Sequence, residues 1–265
     1  MNVTLESLAR AIFKSWFVDF DPVKVNAGQM PASAQATHDP KVLDLFPSTF
    51  QESELGPIPE GWSVGTLADV TDVQGGYAFK SRDFIEDGEC PVIKIKNIQD
   101  DRSVDVGNAE RLPSDFQDSA AEYLLDSGDL LMAMTGAKVA KFGIIVTTSS
   151  PTLLNQRVAR FQPIHAEQPW FVFGALSMPD VLNQVIANAK GSAQPNVSAS
   201  GIKAAKLVIP PPNLVAMFCD SVSSLFEERI SHTKESRFLE ATRDELLPHL
   251  LSGQMPETNL DGTER

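Results

Sequence analysis

Four stretches of the sequence carry side chains able to make directed polar contacts. Thr135-Gly136-Ala137-Lys138-Val139-Ala140-Lys141 sets a hydroxyl and two ammonium groups in a run of small residues. Small residues let the backbone approach a ligand closely, and Lys138 and Lys141 supply donors for phosphate oxygens or guanine edges. Asn155-Gln156-Arg157 adds two amides and a guanidinium, groups that can pair bidentately with adenine or guanine in a major groove. A third stretch contains Lys190, Gln194 and Asn196 among Gly and Pro, which turn chemistry explains equally well. The fourth, GGYAFKSR at 75–82, combines flexible backbone with Tyr77, Lys80 and Ser81, and reads either as a hairpin turn or as a phosphate-contacting loop. Lys94 and Lys96 alternate with Ile93 and Ile95, which predicts a strand with both lysines on the face opposite the core; a solvated face explains that alternation as well.

Other chemistries find no support. The Gly and Lys of the 135–141 loop do not complete GxxxxGK[ST], so a nucleotide-binding loop is not expected. The four histidines, His38, His165, His232 and His249, have no metal-ligand spacing. Cys90 and Cys219 lie far apart without CxxC spacing, and both read as buried small hydrophobes. There is no Asn/Asp-Pro-Pro-Tyr/Phe methyltransferase motif and no Gly-rich cofactor loop between strand and helix; no catalytic role and no cofactor are expected for this chain.

The formal net charge is -13, which taken alone argues against a nucleic-acid partner. The distribution points the other way. Between Asp100 and Asp129 nine acids face only Arg102 and Arg111, whereas residues 130–161 and 184–206 contain Lys and Arg but no Asp or Glu. Such segregation suits a molecule with one face for a polyanion and acidic outer surfaces, although each stretch alone also reads as a solvated loop. No run approaches the roughly 18–20 apolar residues needed to cross a bilayer, and the N-terminus lacks a leader pattern, so a cytoplasmic protein is expected.

The elements that must position these groups follow from periodicity. Leu5, Leu8, Ile12, Phe13, Trp16 and Phe17 recur every three or four residues, predicting a helix over 3–18 that Thr4 can cap, with an aromatic stripe buried against another helix or a partner. Asp21-Pro22 ends it, and 21–60 reads as an extended linker broken by a small apolar knot at 42–46. From 61 to 211, short apolar runs predict strands at 91–98, 129–134, 142–147, 157–161 and 205–209, with helices at 170–177 and 179–189. This mixed order defines an α+β domain on a twisted, mostly antiparallel sheet. Pro210-Pro211-Pro212 stops the sheet, and a long helix over 212–251 carries Phe218, Val222, Leu225, Ile230, Leu239 and Leu246; Pro248 is expected to kink or end it, and 252–265 reads as a polar tail. At an offset of 234 the two terminal helices align Ile12 with Leu246, Phe13 with Leu247 and Trp16 with Leu250, which reads either as a repeated helix bracketing the domain or as the chance match of two helices that share a period.

ARAIFKSWFVDFDPV at 9–23, IPEGW at 58–62, GSAQPNV at 191–197 and LLPHLLSG at 246–253 occur in an order that resembles the specificity subunit of type I restriction-modification systems. In that family conserved helices alternate with two target-recognition domains; the resemblance implies that 1–20 is the end of the central conserved helix, 61–211 a target-recognition domain and 212–251 the C-terminal conserved spacer helix. The chain thus corresponds to a second half with one recognition domain, a departure from the full pattern. The resemblance further implies double-stranded DNA, methyltransferase subunits and restriction subunits as partners, S-adenosylmethionine held by the methyltransferase rather than here, and pairing with a second half-subunit as a homodimer. Under it, the polar residues of the four stretches, together with Lys94 and Lys96, contact one half of a bipartite DNA site, and the apolar stripes on the helices form partner interfaces. An assembly or decoy protein that occupies methyltransferase subunits without binding DNA is the competing expectation.

Overall fold

The computed structural model describes residues 2–31, 39–165, 169–189 and 195–252. Helix α1 (Asn2–Phe17) already contains Thr4, which therefore lies inside the helix rather than capping it. Phe20 takes a left-handed backbone (φ 55°) and turns the chain into α2 (Asp21–Asn26), which has Pro22 in its first turn, so the break expected at Asp21-Pro22 is present. Helix α3 (Pro40–Leu43) is capped by Asp39, whose carboxylate accepts from the Lys41 N–H at 2.9 Å.

The chain continues through β1 (Phe50–Gln51), β2 (Ile58–Pro59), β3 (Ser63–Thr66), β4 (Thr71–Gly75), β5 (Cys90–Ile93) and β6 (Glu110–Leu112). Next come α4 (Phe116–Ser119), β7 (Leu124–Leu125), β8 (Leu130–Ala133), β9 (Phe142–Ile144), β10 (Thr152–Leu154) and β11 (Val158–Pro163). Last are α5 (Pro169–Leu176), α6 (Pro179–Ala187), α7 (Ala199–Lys203), β12 (Lys206–Ile209) and α8 (Pro212–Ser252). The class is α+β and mostly antiparallel, but among the described residues eight strands form two four-stranded sheets and the other four form two antiparallel pairs. One four-stranded sheet has the order β4-β11-β8-β9, all antiparallel; the other has β6-β5-β10-β7, in which β5 and β10 run parallel. β3 pairs with β12, fastening the chain's entry into this region to its exit.

Several expectations are corrected. The 21–60 stretch is not extended throughout: α2 and α3 interrupt it, and Val23, Val25, Leu43, Phe46 and Ile58 are buried, three of these five (Val23, Phe46 and Ile58) within the largest apolar cluster. Short apolar pairs separated by Pro and Asp pack as turns, which a search for long periodic runs passes over. The strand expected at 91–98 stops at Ile93, and Ile95–Asn97 form a 3-10 turn because the Asn97 amide oxygen accepts the Lys94 N–H at 3.0 Å while its nitrogen donates to the Asp105 carbonyl at 2.9 Å. The alternation of Lys94 and Lys96 is therefore not a strand face. Leu8 is 50% exposed, so the buried stripe of α1 is narrower than its periodicity implied. Pro248 does not end α8, which continues to Ser252.

One aromatic knot joins the helices to the domain. Phe13 lies with its ring centroid 5.3 Å from Phe171 of α5 and 5.5 Å from Phe218 of α8, and Phe17 lies 5.4 Å from Phe218. The approach is possible because residue 174 is glycine: a Cβ there would come within 2.2 Å of the Phe13 ring. Fully burying such side chains contributes roughly 1.5–3 kcal/mol each, which is what holds a sixteen-residue helix that would be marginal alone. In α8 the first half buries Leu214, Phe218, Cys219, Val222 and Phe226, with Leu225 and Ile230 half-buried, whereas Phe238, Leu239, Leu246, Leu247, Leu250 and Leu251 of the second half are exposed. At 1.5 Å per residue its 41 residues span about 60 Å, longer than the domain's own core can cover.

Candidate nucleic-acid interface

The 135–141 loop leaves the end of β8, the 155–157 turn joins β10 to β11, and the 195–198 segment leads into α7. Backbone hydrogen bonds tie all three together. Met134 N–H donates to the Arg157 carbonyl at 3.0 Å, Gly136 N–H to the Pro195 carbonyl at 2.9 Å, and Val197 N–H to the Met134 carbonyl at 2.9 Å, making an isolated antiparallel bridge between Thr135 and Asn196. A fourth segment joins from the other side: Tyr77 N–H donates to the Leu154 carbonyl and Gln156 N–H to the Tyr77 carbonyl, both at 2.9 Å, which forms a parallel bridge between Tyr77 and Asn155. Glycine at 76 permits this, since a Cβ there would lie 2.4 Å from the Asn155 carbonyl oxygen.

Between these segments opens a cleft of about 560 Å³, lined by Thr135, Gln156, Arg157, Asn196 and Ser198 with Met134, Pro195, Val197 and Ala199. Gln156, Arg157 and Asn196 are exposed, and Asn155 is half-buried behind them. The Thr135 hydroxyl oxygen is buried without a hydrogen-bond partner among the described residues. Tyr77 is 45% exposed and packs on Tyr123, ring centroids 5.4 Å apart, so an aromatic ledge adjoins the amides. The sequence did not single out Ser198 or Tyr123. Ser198 is partly accounted for as the cap of α7, accepting from Gly201 N–H at 3.1 Å, and its place beside Asn196 was the available signal.

The cations separate into two sets. Lys94 and Lys96 both bind the Glu110 carboxylate, and Lys94 also lies 3.7 Å above the Phe84 ring. Their hydrogen bonds hold the Glu110 carboxyl below its ordinary value. Lys141 lies 2.6 Å from Asp100, Lys203 2.8 Å from Asp72, and Lys206 2.5 Å from Glu54. Lys80, Lys138 and Arg157 are exposed and have no ion-pair partner among the described residues. Lys138 belongs to the same loop as Thr135, on the 3-10 turn Gly136–Lys138, and Lys80 follows Tyr77 by three residues, beside Ser81 at the start of the turn Ser81–Asp83. The structure thus brings together Tyr77, Thr135, Asn155, Gln156, Arg157 and Asn196, with Lys138 on an adjoining turn, and commits Lys94, Lys96 and Lys141 to carboxylates elsewhere. Lys190 and Gln194 lie outside the described residues.

Hydroxyl, amide and guanidinium groups from separate loops thus surround one open cleft. Residues 59–214 match the family described as the type I restriction modification DNA specificity domain, and the chain belongs to that family. Among curated relatives, it is 25% identical to the HindI specificity subunit of Haemophilus influenzae, over 96% of this chain and 62% of that one. It is 24% identical to the MjaIX specificity subunit of Methanocaldococcus jannaschii, over 96% of this chain and 54% of that one. The chain therefore spans a little over half the length of these relatives. Similar solved structures include the S subunit of a type I restriction-modification system from M. genitalium, at TM-score 0.47 and 14% identity, covering 72% of this chain and 46% of that one. The HsdS subunit of Thermoanaerobacter tengcongensis is similar at TM-score 0.42 and 12% identity, covering 95% of this chain and 57% of that one.

Proposed function

We propose that this chain is a sequence-reading part of a type I restriction-modification specificity subunit: it binds one half of a bipartite DNA target and performs no bond chemistry itself. The observation that carries the reading is the bridging of Thr135 to Asn196, which gathers polar groups from three segments onto one cleft, with the Tyr77–Asn155 bridge joining the 75–82 segment to one of them. The family to which residues 59–214 belong supports DNA as the ligand. The net charge of -13 is no obstacle, because much of the Lys and Arg outside the cleft is bound to carboxylates or carbonyls, leaving unpaired cations on and beside the cleft.

The helices serve as spacer and docking surface. The exposed ridge of Phe238, Leu239, Leu246, Leu247 and Leu250 on α8 suits methyltransferase subunits and the helix of a second copy, which would set two recognition domains at a fixed separation. Light scattering of the chain with its methyltransferase tests that pairing; a complex holding a single copy of this chain contradicts it. Mapping methylated bases across the genome of a host, with and without this gene, tests the main reading. A split motif that appears only with the gene supports it, and no gene-dependent motif overturns it. A chain that binds methyltransferase while the complex retains no DNA would be an assembly or decoy protein.

A further inference from the structure

Resting on the DNA-binding reading, we propose a division of labour within the interface: Gln156, Arg157 and Asn196 read base edges inside the cleft, and Lys80 and Lys138 hold phosphates at its flanks. Discrimination between bases is favoured when the backbone that carries the reading side chains is held in place before the ligand arrives, and the cleft supplies that. Gln156 donates its N–H to Tyr77, Arg157 accepts from Met134, and Asn196 sits in the bridge to Thr135, so the backbone beneath each is pinned by a neighbouring segment. Their side chains end in planar groups that form two hydrogen bonds at once, an amide with adenine and a guanidinium with guanine.

Lys80 and Lys138 differ on each count. They carry single ammonium groups on long flexible stems, are exposed on or beside 3-10 turns, and form no ion pair among the described residues, although Lys138 adds to the field that lowers the Asp100 carboxyl. A mobile point charge suits phosphate, whose position varies little with sequence, and cannot distinguish one base pair from another. Lys94, Lys96 and Lys141, although nearby in sequence, contribute neither role, because Glu110 and Asp100 already occupy them.

The test uses the complex of this chain with its methyltransferase subunits, and duplexes carrying either the mapped motif or single-base-pair changes in it, over a series of salt concentrations. Gln156→Ala, Arg157→Ala and Asn196→Ala are each expected to reduce the ratio of affinities for the correct and altered duplexes about tenfold at one motif position, with the other positions unchanged. Lys80→Ala and Lys138→Ala are expected to weaken all duplexes by the same factor and to lower the slope of log affinity against log salt by about one each. Thermal melting verifies that each variant is folded, and Thr135→Val, which removes the unpartnered hydroxyl at constant shape, gives a second readout of the cleft with an expected loss of discrimination. Cleft variants that weaken every duplex equally, or lysine variants that change the preferred base, overturn the division while leaving DNA binding intact. A wild-type complex that does not prefer the motif at all overturns the DNA reading itself, and this inference with it.

Discussion

Arg229 Nε of α8 lies 2.8 Å from Glu6 Oε1 of α1, with both side chains buried where the two helices meet the domain. Arg102 approaches the same carboxylate at 3.9 Å, and Arg229 also donates to the Arg102 carbonyl at 3.0 Å, so the pair connects both helices to the turn before β6. Burial pushes the Glu6 carboxyl up, against the pull of Arg229, Arg102 and Arg10.

Removing one member of such a pair leaves the other charge buried without compensation. Glu6→Ala is expected to destabilise the chain by about 3–5 kcal/mol in denaturant unfolding. Glu6→Met combined with Arg229→Met should restore much of that loss, since an apolar pair carries no desolvation cost. A double variant as unstable as Glu6→Ala would mean that the contacts of Arg229 with Arg102 dominate instead.

The neutralised lysines give a control that the charge of the sequence alone does not suggest. Lys94→Ala and Lys96→Ala are expected to leave DNA affinity within about twofold of the unaltered complex, because their charges are spent on Glu110. Lys138→Ala should weaken it several-fold. Equal losses from all three would show that total charge, not the cleft, governs binding.

Glu110 also sets a pH dependence. Hydrogen bonds from Lys94 and then Lys96 lower its pKa from 4.5, so its contribution to stability is complete above that value and is lost as the pH falls through the lower value of the folded chain. Melting temperatures of the unaltered chain and Glu110→Gln should differ at pH 7 and converge as the pH falls through the lowered value of the folded chain. A gap that persists in acid would assign the effect to something other than ionisation.

At Gly76 a side chain would collide with backbone rather than with a flexible group: Asn155 C and O and Leu154 O all lie 2.4 Å from the position of an added Cβ. Gly76→Ala is therefore expected to break the Tyr77–Asn155 bridge, costing about 1–3 kcal/mol, and to reduce DNA affinity more than stability alone explains. Gly75→Ala, with nothing within 4 Å of its Cβ, is the matched comparison and should change neither much.

Much of this was legible in the sequence, for reasons visible in particular residues. Phe13, Trp16 and Phe17 announced a helix that must be covered, and it is; the 129–134 run became β8 and the 205–209 run β12, because short apolar stretches bounded by turn residues have few other ways to bury themselves. The loop residues around Thr135, Gln156 and Asn196 stand out by type as candidates. Their meeting was not legible, since backbone bridges between distant segments leave no periodic trace in the chain. Nor was the fate of Lys94, Lys96 and Lys141: alternation shows which residues face outward, but not which carboxylate waits there. In the 21–60 stretch Leu43 and Phe46 fall in the apolar knot visible at 42–46, whereas the burial of Val23, Val25 and Ile58 is not visible, as isolated apolar residues beside prolines carry no period.

The most direct test is an amide hydrogen-exchange comparison of the methyltransferase complex with and without a duplex carrying its methylation motif. Protection is expected on binding at 134–138, 155–158 and 195–198, the three segments of the cleft, and at 74–82, which is bridged to them, with no change across 110–120. Protection confined to the acidic 100–129 stretch or to α8, with the cleft segments exchanging as before, would contradict the account.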